Sequence, residues 1–511
     1  MVDGVRYFTL ADDQMISMRY AQNLASGFGL VWNRGSAPIE GFTNFLWVLY
    51  MAVFHTLGVP RPWISACIEF SGAAFLLLNL VLTRRLADHL AGVESGAGVL
   101  AAILTAFYIP LDNWAFQGTE VSLLTLVVTT IAYLAVTHEI DGPPIKAWLL
   151  AAAASLVRPD AVVIAAALAA GVVVTRPPAW KRNVVFGMTI VAAALIAETA
   201  LRLWYFGDVL PNTYYLKLTG IPAWMRVSRG AFVTLRFLLQ VLPIVLLVAV
   251  SARARNWRNR HTYLLGIFVM QLAYSAYVGG DAWEWWGGSN RFVSIAMPLL
   301  FVMASTSFVR MLGRPVKLAS ASVLTIATVI GLNLLAFSML PIPLKRILLI
   351  ARPLQNDLDI QMLRAGLALQ RSTDPHAVVA VTWAGGIPYF SERPAIDLLG
   401  KMDRHVAREP MHLPVGKDRW IRFTPGHLKW DYSYSIAHLR PDVIQAPLWT
   451  LKGVEGNQLP ALPGYAKRTA IIDWYVRTDS PYVSASLATP AALVPRQLST
   501  GVPATESGAR H

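Results

Sequence analysis

The sequence predicts an α-helical multi-pass membrane protein with a soluble α/β domain at its C-terminal end. Three observations carry the prediction. Of 511 residues, 55% are hydrophobic and only 14% charged, whereas a soluble domain carries roughly 25% charged residues. The apolar excess falls in blocks of spanning length, for which ~20 mostly apolar residues are needed; segments 184–206, 231–251 and 317–340 meet that length with few charges. After residue 343 the composition turns ordinary, with polar and apolar residues alternating. The chain therefore divides into a membrane domain (1–343), a soluble domain (344–480) and a tail (481–511) rich in Ser, Ala, Thr and Pro, a composition that stays disordered.

Ten spans follow from the apolar blocks: 64–83, 96–111, 120–138, 145–157, 160–175, 184–206, 231–251, 262–279, 292–309 and 317–340. The loops then alternate between two sides. One set (84–95, 139–146, 176–183, 252–261 and 310–317) holds thirteen Lys/Arg against four acids, while the short loops of the other side, counting Asp160 at the turn, hold five of each sign. Excess Lys/Arg marks the cytoplasmic side. That places the C-terminal domain and residues 1–42 outside. The count depends on reading 145–175 as two short helices turning at Arg158-Pro159-Asp160. One long helix would set that triplet at mid-bilayer and flip every later loop, whereas proline permits the break. Segment 43–58 is apolar but short and contains His55, which fits an interfacial helix. With residues 1–42 outside and no helix ahead of them, the expectation is a first span preceding residue 1.

The basic residues behind the net charge of +14 cluster between apolar blocks, which is a topology signal and not a nucleic-acid surface. The single cysteine, Cys67, excludes an internal disulfide and a cysteine metal cluster. No Walker loop, dinucleotide fingerprint or HExxH is present, so ATP-driven transport and zincin proteolysis lack support.

On this topology the polar motifs gather outside. Asp12-Asp13 opens the run ADDQMISMRYAQNL; such a carboxylate can take a proton from an acceptor hydroxyl, or simply cap a helix. Glu40 and Asn44 lie in PIEGFTN, and Glu120 closes QGTE at the mouth of the third span; a turn, a cap and a helix N-terminus also account for them. Arg158 either pairs with Asp160 or holds a lipid phosphate. The loop YFGDVLPNTYYLKLTG sets Asn212, Tyr214, Tyr215 and Lys217 together, combining aromatic faces and donors suited to a sugar, though interfacial tyrosines also anchor. Gly279-Gly280-Asp281 precedes Trp283, Trp285, Trp286, Asn290 and Arg291. The tryptophans fit an aromatic belt and Arg291 a phosphate. In the soluble domain, segments 377–381 and 470–476 read as strands, with Gly385-Gly386, Asp397 and the stretch GHLKWD (His427, Lys429) in loops.

The ordered set ADDQMISMRYAQNL, GLVWN, EGFTNFLW, QGTE, RPD, FGDVLPNTYYLK, GGD with a following NRF, and GHLKWDY resembles the GT-C glycosyltransferases. Among them it is most similar to the terminal arabinofuranosyltransferases of the mycobacterial cell wall (the AftB type). The resemblance runs over most of residues 11–435. It implies a GT-C-like helical fold and a polyprenyl-phosphate sugar as donor. It further implies a cell-envelope glycan acceptor and an acidic residue in the first outer loop as base. Carried onto this chain, that residue is Asp12, with Asp13 beside it. Arg158, Lys217 and Arg291 become the donor-phosphate candidates. Glu40, Asn44, Glu120, Asn212, Tyr214, Tyr215, Asp281, His427 and Lys429 become the substrate-binding ones. No metal ligands are assigned, and a divalent metal is optional. The partners are then donor, glycan acceptor and bilayer, with the active site on the outer face of the cytoplasmic membrane. Another lipid-linked hexose or pentose, such as mannose, stays open as the donor, and a protein or lipid as acceptor. A lipid flippase or transporter is the rival class; such proteins often show internal repeats, and none is visible here.

Overall fold

The computed structural model describes residues 1–2, 4–138, 141–282, 290–313, 356–416, 420, 424–450, 461–484 and 487. The expected span 317–340, the tryptophans Trp283, Trp285 and Trp286, and nearly all of the tail lie outside them. Helices dominate: α1 (Asp12–Ala25), α2 (Phe45–Thr56), α3 (Arg61–Ala91), α4 (Ala97–Ala106), α5 (Ile109–Phe116), α6 (Val121–Thr137), α7 (Ile145–Val157), α8 (Val162–Thr175), α9 (Trp180–Phe206), α10 (Asn212–Leu218), α11 (Ala223–Gln240), α12 (Leu242–Ala252), α13 (Arg255–Val278), α14 (Arg291–Ser294) and α15 (Met297–Leu312). Among the described residues, α3 and α9 are each long and apolar enough to cross a membrane alone, and shorter apolar helices stand beside them.

Two expected straight spans are bent. Segment 96–111 breaks between α4 and α5, which meet at 54°, and 231–251 breaks between α11 and α12 at 84°. Pro110 and Pro243 sit in the first turn of the second helix of each pair. A proline there lacks the N–H that would continue the preceding helix, so the chain restarts in a new direction. The first half of 231–251 thus belongs to an amphipathic helix. Leu235 and Leu239 of α11 are exposed, while Arg226 and Arg229 are buried. Arg226 donates to the Tyr277 carbonyl at 3.0 Å and Arg229 to the carbonyls of Gly279 and Asp281. Gly230 lets α11 approach α13 this closely, because a Cβ there would sit 2.0 Å from the Ala276 oxygen.

Helices α7 and α8 form the expected hairpin. Gly142, ahead of α7, lies against Pro177, beyond α8. Asn183 donates to the Pro143 carbonyl at 2.9 Å and accepts from the Trp148 indole at 3.0 Å. The two ends therefore meet, and the turn at Arg158-Pro159-Asp160 lies at the far end.

The C-terminal domain holds a five-stranded sheet in the order β2-β1-β3-β5-β4. Here β1 is Val379–Val381, β2 Ala395–Asp397, β3 Val443–Gln445, β4 Tyr465–Thr469 and β5 Asp473–Arg477. The first three strands are parallel, with Val379 opposite both Ala395 and Val443, and β5 joins β3 and β4 antiparallel. This sheet does not stand apart from the N-terminal segment. Leu10, Met15 and Ile16 share one apolar core with Val379, Ile387, Phe390 and Trp474. Arg19 of α1, only 5% exposed, reaches the carbonyls of Trp32, Pro388 and Arg393 and the Asn33 amide oxygen. Filling a buried guanidinium with acceptors removes the cost of its burial, so α1 is fixed to the sheet domain.

Candidate active site

Helix α1 begins at Asp12 against the loop after β1. One Asp12 oxygen, Oδ1, accepts the backbone N–H groups of Gly385 (3.1 Å) and Gly386 (2.9 Å). Glycine is required at 385, because a Cβ there would lie 1.8 Å from the Asp12 carbonyl oxygen. The other carboxylate oxygen has no hydrogen-bond donor among the described residues. Burial pushes the Asp12 carboxyl up to about 6, against the pull of the Gly386 N–H and the Lys401 charge. Asp13 points elsewhere, as adjacent helix residues do, and is ion-paired with Lys401. Burial acts to raise Asp13 too, but Lys401, Arg291 and Lys217 together hold it below the ordinary carboxylate range.

Three cations thus converge on the acidic pair from distant parts of the chain. Lys401 lies in the loop after β2, whose turn is set by Asp397 accepting the N–H groups of Leu399 and Met402 at 3.0 Å each. Arg291 binds Asp281 with both ends of its fork, Nε to Oδ2 at 2.8 Å and Nη2 to Oδ1 at 3.1 Å. Lys217 lies on α10, its stem beside Gly426, whose Cβ position is 3.1 Å from Lys217 Cε. Its ammonium makes no ion pair or hydrogen bond among the described residues. Burial, reinforced by the like charges of Lys401 and Arg291, pushes it down to about 8. Lys401 pairs with Asp13 and Arg291 with Asp281. Within this cluster, among the described residues, one cation then remains without a side-chain partner, Lys217, and two carboxylates, Asp12 and the neighbouring Asp359, which burial and the Asp12 charge push up to about 8.

The other expected site residues fall into two groups. His427, half-buried, stands beside the cluster; burial and then the Lys401 charge push its imidazole down to about 4, so it is neutral at pH 7. Tyr214 is 39% exposed, and the Tyr215 ring lies under the Arg408 guanidinium at 4.2 Å. The second group is used up by the fold. Lys429 gives its three donors to the carbonyls of Tyr215 and Ala407 and the Thr219 hydroxyl, at 2.8–3.1 Å, so it is a strut and not a free cation. Asn212 donates to the carbonyls of Gly400, Lys401 and Asp403 and so ties α10 to the Lys401 loop. Glu40 is paired with Arg202, itself bound to Glu198. Arg158 is spanned by Asp160 at 3.0 and 2.8 Å and faces Glu120 at 3.2 Å. Its charge is compensated twice. Asn44 bridges Ser17 to Glu120, extending a polar chain from α1 to the α7–α8 turn.

Sequence reasoning missed Lys401. It is 388 residues from Asp13 in the chain, in a loop whose composition carries no phosphate-binding pattern. The Gly385-Gly386 pair was visible as a loop but not as the donor of two N–H groups to Asp12. Among the described residues, the trio whose donor atoms lie close enough for an ion is elsewhere, at His405, Glu409 and Asp431.

Comparison with known proteins adds three findings. A model of a domain of unknown function (DUF8728) matches residues 354–484. The terminal β-(1→2)-arabinofuranosyltransferase of Mycobacterium tuberculosis is 24% identical over 272 residues, covering 50% of this chain and 42% of that protein. The chain thus spans less than half the length of this relative. Two crystal structures of ArnT from Cupriavidus metallidurans superpose with a TM-score of 0.51 each. The one bound to undecaprenyl phosphate is 13% identical and covers 79% of this chain and 85% of its own. The apo form is 12% identical and covers 95% of each. At these identities the likeness shows the fold alone: membrane helices with a C-terminal domain.

Proposed function

We propose that this chain, with its GT-C fold, is a membrane glycosyltransferase. It moves a sugar from a polyprenyl-phosphate donor to a hydroxyl of a cell-envelope glycan, on the outer side of the cytoplasmic membrane. The observation that carries the reading is Lys217, the cation of the cluster without a described partner, gathered with Asp12 and the Asp13–Lys401 ion pair. A sugar phosphodiester carries a single negative charge, which one uncompensated cation matches. Arg291 and Lys401 flank that position and can share the charge that grows on the leaving phosphate.

The acceptor oxygen attacks the anomeric carbon, the bond from that carbon to the phosphate oxygen breaks, and polyprenyl phosphate leaves with the electron pair. The acceptor proton passes to Asp12. A base works best with a pKa near the working pH, and of the two carboxylates Asp12 is the one raised to about 6. Asp13, held ionised by its cations, keeps Lys401 in place.

Two further observations support the assignment. ArnT, with the same fold, has been crystallised with undecaprenyl phosphate, and the mycobacterial relative is an arabinofuranosyltransferase, which favours arabinofuranose as the sugar. The orientation rests on the Lys/Arg-rich loops, thirteen basic residues to four acidic. The test is transfer from a panel of labelled polyprenyl-phosphate sugars to oligosaccharide acceptors by the purified chain in nanodiscs. Turnover with one of them is expected. Donor binding without turnover across the panel would point to a flippase instead.

A further inference from the structure

Asp431, in the GHLKWD stretch, takes no part in the proposed reaction. Asp431 follows the strut Lys429, and its two oxygens have different surroundings. Oδ1 accepts the Ser433 hydroxyl at 2.5 Å and the Tyr434 N–H at 3.0 Å. Oδ2 is thereby aimed at His405 Nε2, 3.0 Å away. His405 lies on the short helix Arg404–Arg408, whose N-cap Asp403 accepts the Val406 N–H at 3.0 Å. Four residues on, Glu409 shares its face and brings Oε1 to 3.4 Å from the same nitrogen. The His405 ring is held against Tyr434, centroids 4.1 Å apart, so its orientation is set.

All three donor atoms lie within 4.8 Å of one another. Ligands at ~2.0–2.2 Å from a tetrahedral ion are spaced about 3.4 Å apart, so the two distances from His405 already match edges of such a shell. The side chains are 44%, 35% and 24% exposed in the order His405, Glu409, Asp431, which leaves room for an ion to enter and for water to complete its shell. One imidazole with two carboxylates suits a borderline divalent ion better than Ca²⁺ or Mg²⁺, which take oxygen alone.

We propose that His405, Glu409 and Asp431 form a Zn²⁺-class divalent cation site on the C-terminal domain. The ion clasps the helix beyond Lys401 to the loop that carries His427 and Lys429. It shares no ligand with the Asp12–Asp13 site, and its role is to hold two site-bearing segments together.

The test uses the full chain in detergent, stripped with EDTA and desalted, then titrated with Zn²⁺ by calorimetry. One site per chain is expected, with nitrogen and oxygen neighbours in zinc-edge X-ray absorption and a rise in the thermal midpoint on adding Zn²⁺. His405→Gln and Asp431→Asn should each weaken binding at least tenfold and abolish the thermal rise. His376→Gln, at the exposed Asp374 pair, should change neither. If either ligand variant fails to fold, Glu409→Gln supplies the same comparison. Absence of stoichiometric Zn²⁺ binding, or a titration unchanged in His405→Gln, would overturn the proposal. Tighter binding of Ca²⁺ than Zn²⁺ would overturn the assigned class.

Discussion

Replacing Lys217 by Met should uncouple stability from function in a way that few substitutions at a structural lysine can. The Met side chain keeps most of the stem that packs beside Gly426 and removes a charge that no described residue pairs. That charge is held at a penalty. Its drop from the usual lysine range to about 8 corresponds to ~3 kcal/mol, which partial solvent exposure reduces to on the order of 1 kcal/mol. Lys217→Met is therefore expected to melt no lower than the wild type. The pH dependence has a defined sign. Below pH 8 the folded chain carries the penalised charge in full, and the penalty fades as pH rises from about 8 toward the unfolded-state value. The wild type should thus gain stability relative to Lys217→Met above pH 8. Function should move the other way. Loss of a charge-assisted phosphate contact costs about 1.5–3 kcal/mol, or about 10- to 150-fold in donor affinity. The assays are equilibrium binding of a fluorescent polyprenyl phosphate in nanodiscs and thermal melts from pH 7 to 10. Unchanged donor affinity would remove Lys217 from the phosphate site. A loss of more than about 2 kcal/mol of stability, beyond what these terms allow, would show a structural role that this reasoning misses.

Three further expectations follow from the same geometry. Asp12 as base gives a transfer rate that falls about tenfold per unit as pH drops below about 6; a rate flat from pH 7 to 5 would instead assign the proton to a carboxylate of lower pKa, with Asp13 first. Gly385→Ala should destabilise the chain by roughly 2–4 kcal/mol, because its Cβ meets the Asp12 backbone at 1.8 Å, whereas Gly266→Ala, 3.6 Å from its nearest contact, should be neutral; equal melting points would mean that the α1–sheet contact is not fixed. Topology reporters should read cytoplasmic after Arg258 and external after Gly220 and His427, as the loop charges require; Gly220 and Arg258 on one side would break the span order.

What was legible in the sequence was what is local. Apolar blocks of spanning length and the basic loops between them needed no tertiary information, and Arg158-Pro159-Asp160 announced the α7–α8 turn because proline sat beside two charges. The bends at Pro110 and Pro243 carried the same signal but lay inside apolar runs, where composition alone favours a straight span. For the site, the polar residues of NTYYLK and GHLKWD were visible as donors, but a sequence does not show how many acceptors the fold supplies. Lys429 and Asn212 each meet three and are consumed, whereas Lys217 meets none among the described residues. Lys401 was invisible for the opposite reason. Its partner Asp13 is far away in the chain, and the contact exists only because α1 and the sheet domain share a core.

The most direct measurement is sugar transfer by wild type and Asp12→Asn side by side. Purified chains in nanodiscs receive a labelled polyprenyl-phosphate sugar and an oligosaccharide acceptor, and product formation and donor binding are followed together. Asparagine keeps the shape of Asp12 and its contacts to the Gly385 and Gly386 N–H groups but cannot take the proton. The expected result is product from the wild type, a loss of about 10²–10⁴-fold in rate for Asp12→Asn, and donor affinity the same in both. Near-normal turnover by Asp12→Asn, or no product from the wild type with any polyprenyl-phosphate sugar, would contradict it.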